Sequence, residues 1–252
     1  MITAYHRPNS QKEALDLLKN PDTLPLGGGT LLSQLKSASV EVVDLQALNL
    51  NGITAKGNTL EIGATTTLQQ LLESEHASDA LKAAIKREAP LNIRNAATVA
   101  GTLVSADGCS AFAAALLALD AKLTIDGQQP TVTGLGEFFP LRPDNLQGAL
   151  ITQIEMPLNA KLAFACVART PSDKPIVCAA VAGWKSGRTR LVLGGYGTAP
   201  LLAMDGTESE GIEEAARNAY HESTDEWASA EYRMDVAATL AKRCLEQITP
   251  DK

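Results

Sequence analysis

The sequence predicts an α+β protein in two parts, on three observations. Capped helix starts alternate with short strand-like segments across the first 156 residues. From Leu162 onward the order changes: three strand-like runs come first and two helical segments follow. That succession marks α+β rather than an alternating parallel α/β chain. Between the two parts, Pro157-Leu158-Asn159-Ala160 reads as a boundary, placing one domain over 1–158 and a second over 159–252.

Each element has a local cause. Ser10-Gln11-Lys12-Glu13 is a capping box, and Ala14, Leu15 and Leu18 give the helix behind it one apolar face before Pro21 ends it. Leu24-Pro25-Leu26 is a short strand running into Gly27-Gly28-Gly29-Thr30, with a helix expected over Leu31–Lys36. Val40–Asp44 is a strand. Ile53–Ala55 and Thr59–Ile62 pair around Lys56-Gly57-Asn58, a hairpin turn. Thr67–Gln70 is a second capping box, and Ser78–Glu88 is amphipathic through Leu81, Ala84 and Ile85. Pro90–Cys109, rich in Gly, Thr, Ser and Asn, reads as a long structured loop. Ser110 caps a helix through Leu119. Strands follow at Lys122–Ile125, Pro130–Thr133 and Leu150–Met156. In the last third, Leu162–Arg169, Ile176–Trp184 and Thr189–Leu193 form an expected three-stranded antiparallel sheet. Helices near Gly211–Tyr220 and Ser229–Ile248 complete it.

Composition narrows the function. Of 252 residues, 45% are apolar and 20% charged, an ordinary globular balance. The net charge of -7 argues against a nucleic-acid protein. No apolar run is long enough for a transmembrane helix, and the N-terminus lacks the apolar stretch of a secretory signal, so the expected location is the cytoplasm. The four cysteines are scattered without a CxxC pair, and the three histidines are isolated, so no metal site is expected in this chain.

Two segments carry chemistry. In Leu26-Gly27-Gly28-Gly29-Thr30-Leu31, glycines let the backbone approach a ligand and successive amides can cradle a phosphate. Leu32 stands where a dinucleotide fingerprint needs its third glycine, and no Gly-Lys-Ser/Thr follows, so neither familiar phosphate motif applies. Taken alone, the segment reads more readily as a tight strand-to-helix turn with no ligand. The second segment, Ile93-Arg94-Asn95 through Thr98-Val99-Ala100-Gly101-Thr102, would need many hydrogen-bond partners if buried. A polar cofactor or its own hydroxyls could supply them.

Six segments in order resemble one family: Leu26–Leu32, Ile93–Gly101, Ala115–Ala121, Ile154–Pro157, Leu193–Pro200 and Ser229–Arg233. Along almost its whole length the chain resembles the FAD-binding medium subunit of the xanthine dehydrogenase and aerobic carbon monoxide dehydrogenase family of molybdenum hydroxylases. The resemblance implies a two-subdomain FAD-binding fold of the PCMH/vanillyl-alcohol-oxidase type, with subdomains about 1–52 and 53–158, followed by a C-terminal flavoprotein domain. It implies that Leu26, Gly27, Gly28, Gly29, Thr30 and Leu31 hold the pyrophosphate of FAD from one side. Thr98, Val99, Ala100, Gly101 and Thr102 would hold it from the other, with Ile151 beside the flavin ring. No side chain is implied as a catalytic acid or base. The implied partners are an iron–sulfur subunit with [2Fe-2S] clusters and a subunit holding the molybdenum cofactor, assembled as a dimer of heterotrimers. A nicotinamide nucleotide, a quinone or another carrier each fits as electron acceptor.

Departures from the family pattern fall in the same segments. The family reads Gly-Gly-Asn where this chain has Ala100-Gly101-Thr102, and Ser-Asp where it has Ser110-Ala111. That missing Asp holds the adenosine ribose in relatives. Asp107, a few residues earlier, either takes its place beside Ser110 or is a solvent-facing loop carboxylate. Two other functions remain open on the sequence: a flavin-free structural subunit, favoured by Ala100 and Ala111, and a stand-alone flavin oxidoreductase.

Overall fold

The structure, a computed structural model, describes residues 2–32, 39–142 and 146–249. The described strands are β1 (Ile2–His6), β2 (Thr23–Leu26), β3 (Val40–Asp44), β4 (Ile53–Lys56), β5 (Thr59–Gly63) and β6 (Lys122–Asp126). They continue with β7 (Thr131–Gly134), β8 (Leu150–Pro157), β9 (Ala160–Val167), β10 (Val177–Trp184), β11 (Thr189–Gly194) and β12 (Leu201–Gly206). The helices are α1 (Gln11–Leu18), α2 (Leu68–Glu73), α3 (Asp79–Glu88), α4 (Leu91–Arg94) and α5 (Val99–Ser105). After them come α6 (Ala111–Ala118), α7 (Leu135–Phe138), α8 (Ile212–Ala219) and α9 (Ala230–Ile248). The helix expected over 31–36 falls mostly outside the described residues.

The chain separates into two compact units, neither continuous in sequence. The first comprises Met1–Ser74, Leu91–Ser105 and Lys122–Met156; the second comprises Glu75–Pro90, Ala106–Ala121 and Pro157–Lys252.

The first unit contains two sheets. In the smaller, β3 lies between β1 and β2 and runs parallel to both. Ala14 and Leu18 of α1 bury against Val43, Leu45, Leu48, Leu50 and Leu150, so the apolar face of α1 closes this layer. The larger sheet has the order β4-β5-β8-β6-β7. Its β4–β5 hairpin turns at Gly57, whose φ of 59° is left-handed. Between β5 and α2, Thr67 forms the expected capping box with Gln70.

The segment 90–109 is not the long loop expected from composition: it contains α4 and α5. Small polar residues suit α5 because their hydroxyls bond back into the helix. Thr102 donates to the Thr98 carbonyl at 2.8 Å, and Ser105 to the Gly101 carbonyl at 2.9 Å.

The second unit is a four-stranded antiparallel sheet, β12-β11-β10-β9, one strand more than expected. The added edge strand, Leu201–Gly206, was hidden because Leu-Leu-Ala-Met-Asp-Gly lacks the period-two alternation of a half-buried strand. Val177, Ala179 and Val181 of β10 pack with Ile212, Ala216 and Tyr220 from the region of α8, and with Leu240, Ala241 and Cys244 of α9. Helix α6 is buried at every position, so an all-apolar sequence, Ala-Phe-Ala-Ala-Ala-Leu-Leu-Ala, forms an interior helix.

Candidate functional site

The glycine segment emerges from the end of β2, held there by a hydrogen bond from the Leu45 amide to the Leu26 carbonyl at 3.1 Å. Gly28 lies flat on the chain leading to α5: a Cβ built on it would sit 1.7 Å from the Ala96 carbonyl oxygen. A Cβ on Gly27 would sit 3.0 Å from the Thr98 hydroxyl oxygen. Gly29 has φ +71°, a left-handed turn that an L side chain resists. Glycine is required here first for packing of backbone on backbone.

A cavity of about 510 Å³ opens beside this contact. Its lining includes Gly27, Gly28, Gly29, Thr30 and Leu31 from the glycine segment, and Thr98, Ala100 and Gly101 from the start of α5. Ile151, buried at 4% exposure on β8, is also on its wall. The structure therefore brings most of the sequence-derived candidates together. Leu26, Val99 and Thr102 are absent from the described lining. Leu26 folds back under Gly29, while Val99 and Thr102 turn into the interior of the unit. Sequence reasoning missed Asn20, Leu24, Leu45, Thr65 and the Gln147-Gly148 segment, which complete the wall. Gly148 takes a left-handed φ of +64° there.

The donors divide unequally between the two sides. At the start of α5, every amide already has an acceptor. Val99 donates to the Thr66 carbonyl at 2.8 Å, Ala100 to Ala64 at 3.2 Å, and Thr102 to Thr98 at 2.9 Å. Gly101 donates to the Thr98 hydroxyl at 3.1 Å. Among the described residues, the amides of Gly27, Gly28 and Gly29 have no protein acceptor. No ionisable side chain is among the described lining residues. The cavity thus offers neutral backbone donors to an anionic group, and broad apolar wall from Leu24, Leu45, Leu150 and Ile151 to a flat ring.

Asp107 and Ser110 lie in the second unit. One Asp107 oxygen accepts the Cys109 amide at 3.0 Å; the other pairs with Lys174 Nζ at 2.5 Å. The Ser110 hydroxyl accepts the Ala113 amide at 3.1 Å and donates to Glu88 Oε2 at 2.8 Å. The same Glu88 oxygen accepts the Phe112 amide at 2.9 Å, so Glu88 and Ser110 together cap α6. Burial pushes the Glu88 carboxyl up, against the opposing pull of the Phe112 and Ser110 hydrogen bonds. Glu88 escaped the sequence reading because it caps a helix 22 residues away.

Arg233 was read only as part of a motif, yet it is a buried staple of the second unit, with 0% exposure. It donates to both oxygens of Asp225 at 2.7 Å and to the carbonyls of Gly195 at 2.7 Å and Ile176. Gly195, at φ +115°, leaves no room for a Cβ against the Ile176 carbonyl. Its amide donates to Gly108 at 2.6 Å, locking the Gly108 turn to the strand end.

Among the described residues, this architecture sets a glycine turn with open amides over an apolar wall without an acid–base pair, an arrangement suited to an anionic, ring-bearing group. Residues 1–159 match the family model described as the FAD binding domain in molybdopterin dehydrogenase. The chain belongs to that family. It is 26% identical to the glyceraldehyde dehydrogenase medium chain of Sulfolobus acidocaldarius, over 97% of this chain and 98% of that one. It is 37% identical to the xanthine dehydrogenase FAD-binding subunit of Escherichia coli O157:H7, over 49% of this chain and 46% of that one. In fold it is similar to a chain of carbon monoxide dehydrogenase from Hydrogenophaga pseudoflava, with a TM-score of 0.82 and 24% identity over 97% of this chain and 96% of that chain. Among the described residues, no helix is long and apolar enough to cross a membrane.

Proposed function

We propose that this chain is the FAD-binding electron-transfer subunit of a molybdenum-containing hydroxylase or dehydrogenase. The observation that carries the reading is the set of open amides at Gly27, Gly28 and Gly29 beside an apolar cavity whose described lining residues include no ionisable side chain, in a chain of this family. The residues fit FAD. The three amides suit its pyrophosphate, and Ile151 and Leu150 suit its ring. When bound, FAD supplies the redox chemistry, and the protein supplies placement and electrostatics.

The division of labour between the two loops follows from their hydrogen bonds. Gly27–Thr30 is the pyrophosphate-binding side. Thr98–Thr102 is the rigid support that fixes the glycine turn, since the amides of Val99, Ala100, Gly101 and Thr102 are committed. Asp107 is the ribose-binding group: a carboxylate has about four acceptor sites, and the Cys109 amide and Lys174 use two. Ser110 positions Asp107 by anchoring the turn to α6. The fold is read as two FAD-binding subdomains, about 1–52 and 53–158, followed by a C-terminal flavoprotein domain over 159–252. Partners are an iron–sulfur subunit with [2Fe-2S] clusters and a molybdopterin-binding subunit, in a dimer of heterotrimers in the cytoplasm. Electrons enter from the iron–sulfur subunit and leave to an external acceptor.

Purification of the tagged chain from its native host tests the assembly. A yellow complex containing all three subunit types supports the reading. A colourless complex of the same subunits instead favours the flavin-free structural role that Ala100 and Ala111 would permit. Recovery of this chain alone, active on an organic substrate, overturns the subunit assignment.

A further inference from the structure

Strand β10 places Cys178 directly opposite Cys166 of β9. The kind of pair follows from the hairpin on the other side. The Trp184 amide donates to the Arg188 carbonyl at 2.9 Å, one step beyond the Gly183–Thr189 pair of β10 and β11. In an antiparallel strand the hydrogen-bonding side alternates from residue to residue. Even-numbered residues of β10 therefore bond toward β11, and Cys178 directs no backbone group toward β9. Cys166 and Cys178 form a non-hydrogen-bonded pair, with Cα atoms about 4.5 Å apart and side chains on one face. Disulfides take Cα separations of roughly 4.4–6.8 Å.

Both cysteines are free thiols, and they differ in access: Cys166 is half-buried and Cys178 is buried. Cys178 Sγ occupies the space above Gly194, lying 2.8 Å from where a Cβ there would be. Burial pushes the Cys178 thiol well up, and a charge on Cys166 or Cys109 would push it further. Cys166 is thus the residue an oxidant meets first, with Cys178 as the resolving partner.

We propose that Cys166 and Cys178 form a reversible disulfide when the chain meets a hydroperoxide, a modification independent of the flavin reading. Cys166 thiolate attacks one peroxide oxygen. The O–O bond breaks, the leaving hydroxide takes up the thiol proton as water, and Cys166 becomes a sulfenic acid. Cys178 then attacks the Cys166 sulfur. The S–S bond forms, the S–O bond breaks, and the oxygen departs with the Cys178 proton as a second water. In total one peroxide is reduced and two thiols are oxidised. Closure requires the Cys178 side chain to swing from Gly194 toward β9.

Cleavage after Arg169 puts each cysteine in its own tryptic peptide, and Pro175 blocks cleavage after Lys174: Leu162–Arg169 holds Cys166 and Thr170–Lys185 holds Cys178. The native full chain is treated with hydrogen peroxide, its remaining thiols are alkylated, and it is digested. The expected result is a fall from four alkylated thiols to two, with 162–169 linked to 170–185, reversed by dithiothreitol. The link persists in Cys109→Ser and is lost in Cys166→Ser. The wild-type map decides the matter even if a variant misfolds. Sulfinic acid accumulating at Cys166 with no link overturns the proposal. So does a Cys178–Cys109 link, or a link that appears only after denaturation.

Discussion

Replacing Gly28 by alanine introduces one methyl at the tightest point of the cofactor site. That methyl would lie 1.7 Å from the Ala96 carbonyl oxygen and must retreat by about 1.7 Å to reach ordinary contact at 3.4 Å. The obstacle is backbone, which cannot swing aside, and the chain behind it is held by the Leu68–Ala97 and Val99–Thr66 hydrogen bonds. Overpacking of this kind costs about 1–3 kcal/mol. At the upper end, a protein of this size loses roughly 6–12 °C in Tm. The same shift moves the Gly27–Gly29 amides off the pyrophosphate. Losing a single hydrogen bond to a charged group costs about 1.5–3 kcal/mol, a loss in FAD affinity of roughly tenfold or more. Gly29→Ala is the control: its methyl meets only the movable Leu26 Cδ1 at 3.3 Å, and the left-handed φ costs about 1–2 kcal/mol. Thermal unfolding and fluorescence titration with FAD read both effects. A Gly28→Ala protein with wild-type Tm and wild-type affinity would refute the reasoning.

Three other perturbations have defined outcomes. Asp107→Ala weakens FAD by roughly ten- to a hundredfold, from the loss of a charged acceptor; equal affinities in titrations of mutant and wild type would leave Asp107 a turn-former paired with Lys174. Arg233→Met leaves the carbonyls of Ile176 and Gly195 without their donor, at about 1–3 kcal/mol, while the exposed Asp225 is taken up by water. Arg233→Lys does not rescue it, because an ammonium cannot reproduce the planar fork; unchanged Tm in the methionine variant contradicts the staple. Glu88→Gln keeps one acceptor oxygen for Ser110 and Phe112 and removes a buried charge. Because the folded carboxyl is raised, the native state holds this proton more tightly than the unfolded chain. Stability from this group is therefore present at low pH and is lost as pH rises through the raised pKa. The variant should melt at or above wild type at pH 7 and lose that advantage in acid; a destabilisation of equal size at every pH sinks this account of Glu88.

What the sequence disclosed was mostly local. Ser10, Thr67 and Ser110 each cap the helix that follows them, because a side-chain oxygen reaching an amide three residues on is a short-range event. The hairpin at Gly57 is local in the same way. The glycine segment was visible as a candidate, but its reason was not: contact between Gly28 and Ala96 joins residues that only the tertiary fold brings together. The order of the two binding loops was legible, while their unequal hydrogen bonding was not, since Ala64 and Thr66 supply acceptors from another strand end. Helix α5 was mistaken for loop because Thr and Ser score poorly as helix formers until their hydroxyls bond the preceding turn. Arg233 is charged, and its burial is evident only once the carbonyls of Ile176 and Gly195 converge on it.

The most direct test of the central claim is titration of the deflavinated full chain with FAD, followed by flavin fluorescence and visible absorbance. The account predicts saturable binding of one FAD per chain, weakened in Gly28→Ala while the protein remains folded. Absence of saturable binding by a folded wild-type chain would contradict it.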